Sequence, residues 1–163
     1  MITAIIIYDE QKNVGTLTGL LRSYCPQVSV IGTGNSAANG KKLIEEHAPQ
    51  MVFLDIEMPY GSGFDMVQSL PDIEAEIIFV TAFDQYAINA FRYAALDYLL
   101  KPVDIDQLTD AVARAEKRIN EKSTVSNYKL LLKNLEEKDL SKQSIAITDK
   151  GQQHCVGLSL NKT

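Results

Sequence analysis

Five short apolar runs alternate with segments of helical periodicity along the first 121 residues, and this alternation limits the possible folds more than any other feature. The runs cover residues 2–8, 28–31, 51–55, 77–81 and 97–101. The first, third and fourth are apolar at nearly every position, as strands covered on both faces are. Alternating strands and helices with short links give right-handed crossovers and a parallel sheet.

Helix boundaries support the same architecture. Ser36 and Asp104 are suitable N-caps, and Pro26 and Pro49 follow the first two candidate helices closely. The candidate helices cover residues 14–24, 36–47, 63–70, 85–94 and 105–120. We therefore predict an α/β domain with a doubly wound five-stranded sheet in the flavodoxin-like order 2-1-3-4-5.

The character of the chain changes after Asn120. We expect a helical linker over residues 122–143, which continues the fifth helix or restarts at Ser123-Thr124. Its apolar stripe fits a short coiled coil and packing against its own domain equally well; the stripe is Val125, Tyr128, Leu132 and Leu135. Residues 144–148 and 155–160 have the pattern of a β-hairpin, which is marginally stable alone and predicts the start of an incomplete second domain.

Composition narrows the class of protein. Residues 1–121 carry a net charge of −8 and residues 122–163 a net charge of +3, so the first domain alone is a poor nucleic-acid binder. No segment reaches the roughly 20 apolar residues that span a bilayer, and the N-terminus lacks the features of a signal peptide. Cys25 and Cys155 match no metal or redox spacing, which favours free thiols and a cytoplasmic protein.

Polar side chains follow four of the predicted strands. Asp9, Asp55, Thr81 and Lys101 come at the carboxyl ends of the first, third, fourth and fifth runs, where open α/β sheets bind ligands. Two neighbouring carboxylates repel each other, and Mg²⁺ relieves this repulsion while it neutralises an incoming phosphoryl donor. Asp55 is then the nucleophile that forms an acyl phosphate, and Lys101 and Thr81 bind the phosphoryl oxygens.

Other interpretations of single residues stay open. Asp9 taken alone fits a helix cap, and Glu10 fits a solvated first-turn residue better than its weaker role as a metal ligand. A phosphotransferase of the haloacid dehalogenase type also uses a strand-end Asp, but it needs a second Asp where this chain has Glu57. An FMN carrier needs a hydroxyl- and Gly-rich loop after the first strand, and this loop is acidic instead.

Taken together, these motifs resemble the receiver domain of a two-component response regulator over residues 1–121. The matching segments are Tyr8-Asp9-Glu10, Leu54-Asp55-Ile-Glu-Met-Pro59 with Gly63, Val80-Thr81-Ala82 and Asp97-Tyr98-Leu-Leu-Lys101-Pro102. The resemblance implies a CheY-like fold and a phosphoacceptor that is not a conventional enzyme. It implies that a sensor histidine kinase phosphorylates Asp55 and that Mg²⁺ binds Asp9, Asp55 and the backbone carbonyl of Glu57.

The resemblance also implies a switch and an output. Thr81 and Tyr98 would form the switch, unless Tyr98 is only a half-buried aromatic, and receivers of this kind commonly pair through helix 4, strand 5 and helix 5. The candidate contacts of such a homodimer are Ile88, Phe91, Arg92 and Leu108, unless they only pack against the sheet. Residues 79–102 are similar to regulators of the LytR/AlgR class, so residues 144–163 are expected to begin a truncated LytTR DNA-binding domain.

Tyr8 departs from the family pattern, which usually has an acid at this position. That acid normally helps to hold the metal through water, whereas Asp9 is the direct ligand. We therefore expect Mg²⁺ binding to survive in weakened form, with slower gain and loss of phosphate if the ring covers part of the site. A receiver-like interaction module that works without phosphorylation is the alternative function.

Overall fold

Five parallel strands form one sheet in the computed structural model, which describes residues 1–82 and 97–150, except for the side chains of residue 139 and residues 141–150. The strands are β1 (Ile2–Ile7), β2 (Val28–Gly34), β3 (Met51–Leu54), β4 (Glu76–Thr81) and β5 (Asp97–Leu100). Their order across the sheet is β2-β1-β3-β4-β5, and every neighbouring pair is parallel. The predicted fold class and strand order are confirmed.

Four helices are described, and two of them begin at the predicted N-caps. They are α1 (Gln11–Tyr24), α2 (Ala37–His47), α3 (Gly63–Gln68) and a C-terminal helix (Ile105–Lys150). The Ser36 hydroxyl accepts a hydrogen bond from the Asn39 N–H at 3.2 Å, and the Asp104 carboxylate accepts one from the Gln107 N–H at 2.9 Å. Both predicted N-caps are therefore confirmed, whereas the predicted helix over residues 85–94 lies outside the described residues.

Apolar side chains cover both faces of the sheet. In β1, Ala4 and Ile6 face one cluster, to which α1 and the C-terminal helix contribute Leu17 and Val112. Ile5 and Ile7 face a second cluster with residues of α2 and α3. Because successive side chains of a strand point to opposite faces, burial on both sides accounts for the unbroken apolar runs of the sequence.

The C-terminal helix corrects one prediction. Residues 144–148 lie within this helix instead of forming the first strand of a hairpin, and the helix also passes through Ser123 and Thr124 without a break. Extending an existing helix adds one backbone hydrogen bond per residue, whereas an isolated hairpin lacks a sheet to pack against. The predicted second strand at 155–160 lies outside the described residues.

The apolar stripe of this helix is open to solvent. Val125, Tyr128, Leu132 and Leu135 are 43–62% exposed, so none of them is buried among the described residues. Within residues 1–82 and 97–150, no helix has both the length and the apolar character that a membrane span requires.

A methyl group at Gly63 is expected to destabilise the fold. Gly63 begins α3, and a Cβ built there would collide with the backbone carbonyl oxygen of Asp55. Gly63→Ala should lower the free energy of unfolding by about 1–3 kcal/mol, because the backbone has to shift. Urea denaturation of both variants measures the effect.

Gly19→Ala is the matched control, since Gly19 lies in α1 and nothing lies within 4 Å of its added Cβ. That variant should gain about 0.5–1 kcal/mol from helix propensity. Equal stability of the two variants would contradict the predicted collision.

Candidate functional site

The strand order brings the four predicted polar residues to one edge of the sheet. Asp9 lies two residues beyond β1, Asp55 directly follows β3, Thr81 ends β4 and Lys101 directly follows β5. Because β1, β3, β4 and β5 are consecutive neighbours and all parallel, these strand ends lie side by side. The structure therefore places all four residues at the carboxyl edge, where such sheets bind ligands.

Asp55 is buried and held from several directions. The residue is 4% exposed, and its backbone N–H donates a hydrogen bond to the Ile7 carbonyl oxygen at 2.9 Å. Its Oδ1 accepts the Glu57 N–H at 3.2 Å, and its Oδ2 accepts the Lys101 Nζ at 2.7 Å. The carboxylate is thus fixed between the loop after β3 and the end of β5.

Burial raises the pKa of the Asp55 carboxyl group, because removal from water disfavours the charged form. The hydrogen bond and the charge of Lys101 lower this pKa, as does the Glu57 N–H, but they do not cancel the effect of burial. The negative charge of Asp9 raises the pKa further. Asp9 is therefore close enough to act electrostatically on Asp55, although its own side chain is exposed.

Lys101 follows β5, which is separated from the Asp55-bearing strand β3 by β4, and its side chain extends across the end of β4 to Asp55. Its backbone N–H donates to the Thr81 carbonyl oxygen at 2.8 Å, and its peptide bond to Pro102 is cis. The Lys101 side chain is 22% exposed, so the ion pair with Asp55 is largely shielded from water. The ammonium group thus has its predicted place beside the candidate nucleophile.

The two predicted switch residues lie on adjacent strands. Thr81 is buried at the last position of β4, and Tyr98 is half-buried in β5, where it packs against the cluster on the α2 and α3 face. In the register of the sheet, Phe79 is paired with Tyr98 and Thr81 with Leu100. Tyr98 therefore lies two register positions before the strand end at which Thr81 stands.

Glu10, not Asp9, caps α1. The Glu10 carbonyl oxygen accepts the N–H groups of Asn13 and Val14, and its carboxylate accepts the Asn13 side-chain amide at 3.1 Å. These bonds correct the alternative in which Asp9 is the helix cap. They also account for Glu10 without a metal.

Sequence reasoning missed the environment of Tyr8. The residue is 2% exposed and belongs to the cluster on the α1 face, and the Lys101 Nζ lies 4.7 Å from the centroid of its ring. Burial, followed by the nearby charge of Asp55, raises the pKa of the Tyr8 phenol well above its ordinary value. The sequence does contain a signal for this burial, because Tyr8 follows Ala4 and Ile6 at the two-residue spacing that places side chains on the same face of a strand.

One candidate dimer contact is wrong. Leu108 is fully buried in the cluster on the α1 face, because it lies on the side of the C-terminal helix that packs against the sheet. The other three candidates, Ile88, Phe91 and Arg92, lie outside the described residues.

Comparison with known proteins identifies the family of this chain. Residues 4–113 match the response regulator receiver domain, and the chain belongs to that family. It is 44% identical to an uncharacterized response regulatory protein of Vibrio cholerae and 39% identical to the transcriptional regulatory protein BtsR of Escherichia coli, each over 115 residues. Both alignments cover 70% of this chain and 48% of the relative.

Two further matches extend the comparison. Sensory transduction protein LytT of Enterococcus faecalis is 31% identical over 119 residues, which are 72% of this chain and 49% of that protein. The response regulator domain of Thermotoga maritima CheB has the same fold, with a TM-score of 0.64 at 20% identity over 74% of this chain and 97% of that structure. The chain spans about half the length of the curated relatives that it matches.

Asp55→Asn is expected to stabilise the domain at neutral pH in EDTA. The raised pKa means that the folded state binds the Asp55 proton more tightly than the unfolded chain does. Wild-type stability therefore rises as the pH falls from the raised pKa toward the ordinary carboxyl value of about 4. The variant should therefore be more stable than the wild type at pH 7, and its advantage should shrink in that window.

Urea denaturation from pH 4 to pH 8 measures this advantage. Asp72→Asn, at an exposed position before β4, is the control and should change little across the same range. A less stable Asp55→Asn protein at pH 7 would show that the lost bond to Lys101 outweighs the relieved desolvation.

Proposed function

We propose that Asp55 accepts a phosphoryl group from a sensor histidine kinase and that this modification is the signal. The observation that carries the proposal is the buried Asp55 carboxylate paired with Lys101 at 2.7 Å, at the carboxyl edge of a receiver sheet. In the transfer, an Asp55 oxygen forms a bond to phosphorus while the bond from phosphorus to the donor nitrogen breaks. The departing imidazole keeps that electron pair.

The neighbouring groups stabilise the negative charge that the transfer brings. The Lys101 ammonium already contacts Oδ2 of Asp55 and is placed to bind a phosphoryl oxygen. The Thr81 hydroxyl, at the end of the adjacent strand, is a second donor to the phosphoryl group. Fixed donors in a site shielded from water act more strongly than the same groups in bulk solvent.

The acidic residues fit a magnesium ion. In the described part of the chain, no group of three or more His, Cys, Asp and Glu side chains is arranged to hold a metal, but the expected set needs only two carboxylates and one carbonyl. Asp9 raises the pKa of Asp55 through its charge, which is the repulsion that a shared cation relieves. Asp9, Asp55 and the Glu57 carbonyl would hold the ion, with Glu10 as a weaker contributor. When bound, Mg²⁺ supplies neutralisation of the phosphoryl oxygens.

We infer that phosphorylation changes the conformation of residues in β5 and that this change reaches the surface of the domain. Thr81 would move toward the phosphoryl group, and Tyr98 would turn inward behind it. This movement would alter the face formed by β5, the C-terminal helix and the helix predicted over residues 85–94. A homodimer through that face is the proposed result. Sedimentation before and after beryllofluoride addition tests it, and an unchanged mass would count against the dimer.

The output is proposed to be transcriptional. One relative is named a transcriptional regulatory protein, and another is the LytT protein, which supports a LytTR-type DNA-binding domain in a longer form of this protein. Residues 144–163 would then precede or begin that domain. Gel shifts with the longer protein, compared with residues 1–163, test the proposal; equal DNA binding by both would contradict it.

Phosphorylation of Asp55 is expected with a small-molecule donor. Wild-type protein incubated with Mg²⁺ and acetyl phosphate should gain one phosphoryl group by intact mass, and Asp55→Ala should gain none. Asp72→Ala, a change of the same kind at an exposed site, should label like the wild type. If wild type gains no adduct and also fails to bind beryllofluoride, the phosphorylation-independent interaction module becomes the better account.

Magnesium is expected to stabilise the wild-type protein through Asp9. Binding to the folded state raises the melting temperature as the Mg²⁺ concentration rises above its dissociation constant. Asp9→Asn removes a proposed direct ligand and should weaken Mg²⁺ binding by about tenfold or more. Glu10→Gln is the neighbouring control and should weaken binding far less, because the Glu10 carboxylate bonds to Asn13. Equal losses in both variants would contradict Asp9 as the direct ligand.

A further inference from the structure

The ring of Tyr8 lies directly against the ammonium group of Lys101. The distance from Nζ to the ring centroid is 4.7 Å, which is within the range of a cation–π contact. The Tyr8 residue is 2% exposed, and the Lys101 side chain is 22% exposed, so little water competes for the ammonium. This contact joins a residue at the end of β1 to one at the end of β5.

Tyr8 itself is fixed by the sheet and the core. Its backbone N–H donates to the Gly34 carbonyl oxygen at 3.0 Å, and its ring belongs to the same buried cluster as Ile6 and Leu17. A lysine side chain, by contrast, is a flexible stem that carries a compact charge. The ring therefore offers Lys101 a rigid second contact.

We propose that Tyr8 is a positioning residue that holds the Lys101 ammonium in place for phosphoryl transfer to Asp55. The inference rests on the proposed function, since it assigns Lys101 to that reaction. It adds a role for Tyr8, and the face of the Tyr8 ring supplies this role.

The two contacts of Lys101 behave differently during the reaction. Its bond to Oδ2 of Asp55 must be rearranged when the carboxylate becomes an acyl phosphate. The Tyr8 ring takes no part in bond making, so its contact with the ammonium persists through the transfer. Tyr8 thus keeps Lys101 aligned while its other contact changes.

The hydroxyl group of Tyr8 is not needed for this role. It is buried, and among the described residues it has no hydrogen-bond partner. A buried hydroxyl without a partner adds nothing to a contact made by the ring face. Phenylalanine should therefore replace Tyr8, whereas an aliphatic side chain should not.

The test compares wild type, Tyr8→Phe and Tyr8→Leu by two measurements. In protein with ¹³C-labelled lysine, ring currents should shift the Lys101 ε-methylene protons upfield of the other lysines, with assignment by Lys101→Arg. This shift should persist in Tyr8→Phe and disappear in Tyr8→Leu. The initial rate of labelling by acetyl phosphate should stay within about twofold in Tyr8→Phe and fall about threefold to thirtyfold in Tyr8→Leu.

The outcomes separate the inference from the proposed function. The positioning role would be overturned if the Lys101 ε-methylene protons of the wild type resonated among those of the other lysines. It would also be overturned if a folded Tyr8→Leu protein were labelled at the wild-type rate. Tyr8→Met replaces Tyr8→Leu if the latter unfolds, and the wild-type spectrum decides the contact even if neither folds. An upfield Lys101 signal in a wild-type protein that gains no phosphoryl group would instead count against the proposed function.

Discussion

The ion pair between Asp55 and Lys101 is the interaction on which the rest of the site depends. A buried carboxylate is costly unless it is paired and hydrogen-bonded. Here the pair connects the end of β3 to the end of β5 across β4, at 2.7 Å. The carboxyl ends of three neighbouring strands must therefore lie close together, and the parallel order of the sheet achieves this.

The same geometry accounts for the apolar core beneath the site. Two clusters cover the two faces of the sheet, so the strands cannot shift by one residue without moving buried side chains to the wrong face. Gly63 contributes at the loop above β3, because only a residue without a Cβ fits against the Asp55 carbonyl. Packing on both faces of the sheet and the close backbone contact at Gly63 together fix where the Asp55 carboxylate lies.

Much of this arrangement could be predicted from the sequence, for identifiable reasons. An unbroken apolar run such as residues 51–55 indicates a buried strand by its composition alone. An N-cap such as Ser36 bonds to a backbone group only three residues away, so it can also be predicted without knowledge of tertiary contacts. The Tyr8–Lys101 contact joins residues 93 positions apart in the chain, and no local pattern encodes it. The prediction of a strand over residues 144–148 was wrong for the opposite reason. Their local pattern is strand-like, but the preceding helix continues through them.

The groups around Asp55 have opposite effects on the charge of its carboxyl group. Lys101 and the Glu57 N–H favour its carboxylate form, whereas burial and Asp9 oppose it. The Asp9 side chain is exposed, while the Asp55 side chain is enclosed. The ring at Tyr8 is uncharged, so it adds no negative charge beside Asp55 and Asp9. The same ring lies against the ammonium group that pairs with Asp55, so one cation is held by an ion pair on one side and by an aromatic face on the other.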